Sequence, residues 1–343
     1  MKIKRSIDNS GNIEVYKLTK VKGGKLNLNN QLVFFTHRSG WSYVINALLK
    51  YHNDNGIKFE GFLEKPFVWN RRMLIENGKL PFKHSWIGVL HNPWSFPIDD
   101  DEQVTSEDLI KSTIFQKSLE TCKGLYVLSK DLLKHVKKEV NVPVNFLYQP
   151  TEFVSKNFSM DEFRKNSEKK VIEVGSLRKY NSLFLLNTDK KLWDSKVKVV
   201  SLTFEKNVSK IKAEREKYKL NVTREMQESV KNILPLTDDE YDDFLTKNIV
   251  FMDLYASSAN DIVIECIARS TPILINPLPS IVEYLGKDYP FYFNSINEAS
   301  EKVNNITLIE ETHNYLLQCL TREFIKKEYF LQEFENSSIY KSL

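Results

Sequence analysis

The residues best placed to do chemistry lie in the run 249–286, IVFMDLYASSANDIVIECIARSTPILINPLPSIVEYLG. Ser257, Ser258, Ala259, Asn260 and Asp261 stand between a strand-like run ending near Leu254 and a helix-like run beginning at Ile262. Small residues ahead of a helix let a ligand approach its backbone N–H groups, and the dipole there favours an anion such as a diphosphate. Glu265 falls four residues beyond Asp261, where a carboxylate can accept hydrogen bonds from a ribose diol. The competing reading is a capped core helix with a solvated glutamate. A second candidate is Val171-Ile-Glu-Val-Gly175-Ser176-Leu-Arg178-Lys179, a strand that breaks at Gly-Ser and leads into two cations. Taken by themselves, those two cations are a surface basic pair.

Elements that alternate strand and helix must position these residues. Strand-like runs occupy 31–36, 57–62, 85–91, 124–129 and 144–148, with helical patterns over 43–51, 106–122 (capped by Ser106) and 130–139. After a polar stretch at 151–170 the series resumes with strands at 170–175, 197–202, 249–254, 272–276 and 290–293. Between them come a charged helix over 206–232, a short strand or turn at 233–236, and a helix from Asp238 capped by Thr237. From Ser295 onward the pattern is helical. Alternation of this kind predicts an α/β protein with two doubly wound parallel sheets, whose ligands sit at the carboxyl ends of strands. The expected division is 1–155, a connection over 156–170, 171–323, and a final helix over 324–343 that returns to the first domain.

Composition narrows the classes. The 343 residues hold 21 Phe, 15 Tyr and 5 Trp, enough apolar surface to exclude a disordered chain. Three widely spaced cysteines, Cys122, Cys266 and Cys319, exclude a disulfide scaffold and point to a reducing, cytoplasmic setting. No run is long enough to span a bilayer, and no apolar segment follows the basic start. Walker, dinucleotide-fingerprint and nucleophile-elbow motifs are missing, so hydride transfer and acyl hydrolysis have no support. The net charge of +4 is polarised: residues 1–150 carry +7 and residues 151–343 carry −3. The basic half is the one expected to meet an anionic acceptor or to touch a membrane surface peripherally.

The segment Ile264-Glu265-Cys-Ile-Ala-Arg-Ser-Thr271-Pro272-Ile273, with Leu278-Pro-Ser-Ile-Val-Glu-Tyr-Leu-Gly286, resembles the donor-site signature of GT-B glycosyltransferases of the large family-four, or group 1, type. The resemblance implies that Glu265 binds the donor ribose and that Ser258–Asp261 meet the diphosphate or the sugar. It implies a diphosphate contact for Gly175, Ser176, Arg178 and Lys179, and a backbone contact to the nucleobase for Leu234, Pro235 and Leu236. The co-substrate is then a UDP- or GDP-sugar, with no obligatory metal and no cofactor. One departure stands out: the family motif has two glutamates eight positions apart, and the position eight before Glu265 holds Ser257.

In the first half the same resemblance puts His37, Arg38, Ser39, Gly40 and Trp41 at the acceptor side of the site. A glycine at a strand-to-helix turn permits close backbone approach. His91-Asn92-Pro93-Trp94 ends another strand; the histidine acts as a base or bonds a sugar, or is a satisfied structural residue. Trp41, Trp94 and Phe96 are candidates for stacking on a sugar ring, or are core. Asp99-Asp100-Asp101 follows two prolines and reads as loop, either a solvated acidic turn or, through Asp100, the base of an inverting mechanism. The resulting expectation is sugar transfer to a glycan, glycolipid or glycoprotein hydroxyl. Two alternatives are a catalytically silent nucleotide-sugar-binding or scaffold protein and a DNA-base glucosyltransferase, although nucleic acid is the less favoured partner.

Overall fold

Apolar runs flanked by amphipathic ones form two five-stranded sheets in the computed structural model, which describes residues 24–29, 40–69, 80–96, 104–175, 178–199, 204–234 and 236–343. The chain divides into two compact units, residues 1–151 with 326–343, and residues 152–325. All strand pairs among the described residues are parallel. Parallel sheets are covered on both faces, which is why their strands read as unbroken apolar runs.

In unit 1 the order is β1 (Leu26–Asn27), β2 (Ile57–Glu60), β3 (Trp86–Leu90), β4 (Cys122–Val127) and β5 (Val144–Phe146). The helices are α1 (Trp41–Leu48), α2 (Ser106–Lys111), α3 (Thr113–Leu119) and α4 (Lys130–Glu139). Phe67, Phe82, Trp86 and Phe115 form the aromatic centre of the core, and the Trp86 indole N–H donates to Ser118 O at 2.8 Å. The helix expected over 106–122 is two helices. Ser112 is extended at its φ/ψ, and its hydroxyl caps the second one by accepting from Phe115 N–H. The first cap is Thr105 rather than Ser106, in a capping box with Asp108. The strand expected at 31–36 lies outside the described residues.

In unit 2 the strands are β6 (Lys170–Glu173), β7 (Ser195–Val199), β8 (Val230–Ile233), β9 (Ile249–Met252) and β10 (Ile273–Ile275). Their order is β10-β9-β6-β7-β8. The chain runs outward from β6 to β8 and then returns to lay β9 on the other side of β6. That reversal makes the β6/β9 pair a topological switch point, where open α/β sheets place ligands. The helices are α5 (Met160–Lys165), α6 (Ser182–Leu185), α7 (Phe204–Tyr218), α8 (Arg224–Glu228), α9 (Asp238–Thr246), α10 (Asp261–Arg269), α11 (Pro279–Leu285), α12 (Ile296–Val303), α13 (Ile306–Leu317) and α14 (Thr321–Phe324).

Two expectations in this unit are corrected. The helix read over 206–232 stops at Tyr218. Lys219 takes a left-handed conformation at φ 50°, Leu220 N–H closes onto Arg215 O, and Thr223 starts a new short helix before β8. The strand read over 290–293 is a single bridge between Tyr292 and Ile275, flanked by Phe291 and Phe293 in the core.

The last helices, α15 (Lys327–Asn336) and α16 (Ser338–Ser342), return to unit 1. Phe330 and Phe334 are buried there; Phe334 packs on Tyr51, Phe59 and Tyr126. A Cβ on Gly124 of β4 would come within 2.5 Å of Ile339, so glycine is what lets α16 pack this closely. No helix among the described residues is long and apolar enough to cross a membrane.

Candidate functional site

The carboxyl ends of β6 and β9 are joined by a network of buried charges. Gly175 turns the chain after β6 at φ 105°, a region that disfavours a side chain. The Arg178 guanidinium is buried, 3.0 Å from Glu173, and donates to Gly175 O. Lys198 of β7 is also buried, 3.0 Å from the same carboxylate. Arg178 thus holds the turn from within, while the cation at the surface is Lys179. Its side chain is 40% exposed, and its ammonium lies 2.8 Å from the buried Asp253 carboxylate at the end of β9. Asp253 also accepts from the Ser182 hydroxyl at 2.7 Å, and its carbonyl takes the Lys179 N–H at 2.7 Å.

Glu214 of α7 caps the next turn. Its buried carboxylate accepts from Tyr180 N–H at 3.0 Å, from Asn181 N–H at 2.7 Å, and from the Tyr255 hydroxyl. At the end of β10 the Asn276 amide pairs both ways with Leu254, at 2.7 and 2.9 Å. Side chains from β6, β7, α7 and the ends of β9 and β10 therefore fix the two loops that leave the switch point. Glu173, Asp253 and Glu214 were not singled out from sequence, although a carboxylate ending the apolar runs VIE and IVFMD is a visible signal for the first two.

Beyond β9 the chain enters α10 through the residues expected to meet an anion. Asn260 is the cap, accepting from Val263 N–H at 3.5 Å. Ser258 is 2% exposed, and its hydroxyl has no partner among the described residues. Ser257, Ala259 and Asn260 are half-buried. Ser257 O accepts from the Ser280 hydroxyl at 2.8 Å. Asp261 is exposed in the first turn, where its charge complements the dipole and competes with a second anion. Glu265 is 1% exposed, and its carboxylate accepts from the Tyr241 hydroxyl of α9 at 2.8 Å. The solvated alternative for this residue is therefore excluded. Leu234 is 62% exposed after β8, and Leu236 lines a groove along α9 with Glu240, Phe244 and Lys170. Ser176 and Pro235 lie outside the described residues.

The unit 1 strand ends are different in kind. His91 follows β3 between three neighbours: Phe62 stacks on its ring at 3.9 Å, Trp41 meets it edge-on at 4.3 Å, and Gly61 O lies 2.8 Å from Nε2. A carbonyl only accepts, so Nε2 carries the proton and Nδ1 carries the lone pair. Burial holds the imidazole neutral, with its pKa lowered to about 4. That makes His91 a weak base but a sound hydrogen-bond acceptor. Asn92 is a latch: its amide donates to Val104 O at 2.6 Å, and its carbonyl takes the Ser106 hydroxyl at 2.6 Å. Gly40 caps α1 without a side chain, and Trp94 stacks on His135 at 5.2 Å. Trp41 is buried, with no partner for its indole N–H among the described residues. His37, Arg38, Ser39 and Asp100 lie outside the described residues. Among the described residues no group of His, Cys, Asp and Glu could hold a metal ion.

No protein-family model matches the sequence, and no curated protein matches it. Solved structures do match in fold. A TarM variant from S. aureus, in complex with fondaparinux, alpha-GlcNAc-glycerol and UDP, is 12% identical with a TM-score of 0.56 over 83% of this chain. The match spans only 55% of the TarM chain. Sucrose-phosphate synthase from Thermosynechococcus elongatus is 10% identical with a TM-score of 0.60, covering 83% of this chain and 73% of that one. HepE from Anabaena, in complex with UDP-glucose, is 11% identical with a TM-score of 0.58, covering 88% and 82%. The chain has the GT-B fold of these proteins, with a parallel sheet in each unit and terminal helices that return to the first.

Proposed function

We propose that this chain transfers a sugar from a nucleoside diphosphate sugar, with UDP as the favoured nucleotide, to a hydroxyl of a glycan, glycolipid or glycoprotein. The observation that carries this reading is the unit 2 switch point, where the Gly175 turn, Lys179, the buried Ser258 hydroxyl, the α10 N-terminus and Glu265 follow from adjacent strands. Gly175 lets backbone approach a phosphate. Lys179 and the helix dipole stabilise the charge that gathers on the departing diphosphate. Glu265 accepts from the ribose diol. The acid of the family motif is replaced by Ser257, so the transferred sugar meets a neutral hydroxyl there instead of a carboxylate. In unit 1, His91 is suited to accept a hydrogen bond from a sugar hydroxyl; proton removal falls to another group, for which Asp100 is the candidate. Lys130, Lys134, Lys137 and Lys138 are exposed on α4, which fits an anionic acceptor or membrane surface.

Calorimetric titration with UDP, GDP and UDP-glucose tests the donor site, and release of glucose from UDP-glucose tests turnover. Glu265→Gln is expected to weaken UDP binding by ~1.5–3 kcal/mol, the range for hydrogen bonds to a charged group. Unchanged affinity would remove Glu265 from the site. Tight UDP binding with no glucose release under any acceptor would favour the silent binding protein, the reading that Ser257 motivates.

A further inference from the structure

Four consecutive residues after β2 all grip the end of β3. Gly61 O takes the His91 Nε2 proton, and the Phe62 ring stacks on the imidazole. Leu63 N–H donates to Val89 O at 3.1 Å, and its side chain occupies the space that a Cβ on Gly88 would need, 2.6 Å away. Glu64 then accepts the backbone N–H groups of both His91, at 2.8 Å, and Asn92, at 2.7 Å, on a single oxygen, Oε1. Its other oxygen, Oε2, is buried without a partner among the described residues, and the side chain is 1% exposed. A carboxylate so deeply placed is costly unless it is paired or protonated, and no cation among the described residues pairs with it. A one-turn π-helix, Lys65–Trp69, begins at the next residue, a rare geometry that tends to mark functional sites.

We propose that Glu64 is the positioning residue of the unit 1 site: by accepting the N–H groups of His91 and Asn92 it holds the imidazole with Nδ1 as an acceptor for an uncharged sugar hydroxyl. This rests on the sugar-transfer reading above and deepens it. A donor such as a hydroxyl satisfies the Nδ1 lone pair, whereas a carboxylate or phosphate facing it would meet lone pair with lone pair. Of the titratable groups, Glu60 at the end of β2 acts on Glu64 and is itself balanced by Lys58 and Lys65; from the turn after β3 the neutral His91 meets Glu64 through its backbone N–H. Burial raises the Glu64 pKa to about 7 against the pull of the two N–H groups. Ionisation of Glu64 strengthens both bonds to the 91–92 turn, so the turn is held most firmly above neutrality.

The test uses the full chain labelled with nitrogen-15 in its histidines, with two-bond correlation spectra recorded from about pH 5 to about pH 9, a range that brackets imidazole titration. Loss of one signal in His91→Gln assigns His91. The expected spectrum is a neutral imidazole protonated on Nε2 throughout, whose shifts move with a midpoint near 7 in wild type and stay flat in Glu64→Gln. Glu64→Gln keeps an acceptor oxygen and the side-chain shape but cannot ionise. It is expected to lower kcat for UDP-glucose turnover on the order of tenfold, as a slightly misplaced contact does, with unchanged UDP affinity. A His91 that titrates near its ordinary value, or a midpoint near 7 that survives in Glu64→Gln, overturns the proposal. If the spectra behave as expected and wild type releases no sugar, the positioning of His91 stands and the sugar-transfer reading falls.

Discussion

The two sheets end in opposite electrostatic styles. At the carboxyl ends of β6 and β9, buried carboxylates face cations or several N–H donors: Glu173 with Arg178 and Lys198, Asp253 with Lys179, Glu214 with the 180–181 turn. At the end of β3 the groups are mostly aromatic, with His91 between Phe62 and Trp41, and Glu64 has one oxygen without a partner among the described residues. An end built from ion pairs can take a multiply charged ligand without rearranging, because its own charges are already fixed. An end built from rings and a neutral imidazole offers a hydrogen-bond acceptor and no fixed positive charge. The proposed sugar transfer asks for such a contrast, with an anionic leaving group to hold and uncharged hydroxyls to recognise.

Breaking the ionic end carries the largest expected effect. Glu173→Gln leaves Arg178 and Lys198 buried with no carboxylate between them, and loss of one partner of a buried ion pair costs about 3–5 kcal/mol. Urea unfolding should show that loss; a variant as stable as wild type would mean the triad is not what fixes the Gly175 turn. The neutral end is probed by pH. Glu64 keeps its proton up to about 7 when folded, against an ordinary value of 4.5, so rising pH through that window destabilises the fold. His91 is the reverse: held down to about 4 from 6.5, it makes the fold more stable as pH rises through its window. Each displacement is worth about 3 kcal/mol, and the two nearly cancel between about pH 4.5 and 6.5. Glu64→Gln should therefore lose stability on acidification and His91→Gln should gain it. Equal slopes in the two variants would dissolve the contrast. The smallest stability effect belongs to Lys179→Met, about 1 kcal/mol, because the ammonium removed is 40% exposed and the buried Asp253 keeps the Ser182 hydroxyl as a donor. The same change should lower kcat more than UDP affinity, since the charge it removes acts on the leaving group.

The parts of this arrangement legible in the sequence are those carried by neighbouring residues. Thr237 caps α9 as read, with Glu240 completing the capping box. The strand–turn–helix from Ile249 to Arg269 has its expected boundaries to within a few residues. Lys219 ends α7 in a left-handed conformation without the glycine that would have announced it. Glu214 lies in the run KIKAEREKY, where its spacing does not set it apart from the glutamate at 216; only its distance-bridging bonds to Asn181 do. Glu64 was missed for the same reason. Its partners lie 27 and 28 residues away, and the contact requires the chain to cross β3 at Gly88.

By itself, then, the sequence determined the alternation of strands and helices, the caps, and the short segments whose residue types suit a diphosphate and a ribose. Those features depend on backbone preferences and on side chains a few positions apart. The tertiary structure alone decided that β9 lies beside β6, that Arg178 points inward while Lys179 faces out, and that Glu64 holds the turn of His91. Each of these is set by burial. Desolvation decides which charges must be paired and which must be neutral, and burial is known only once distant segments have packed.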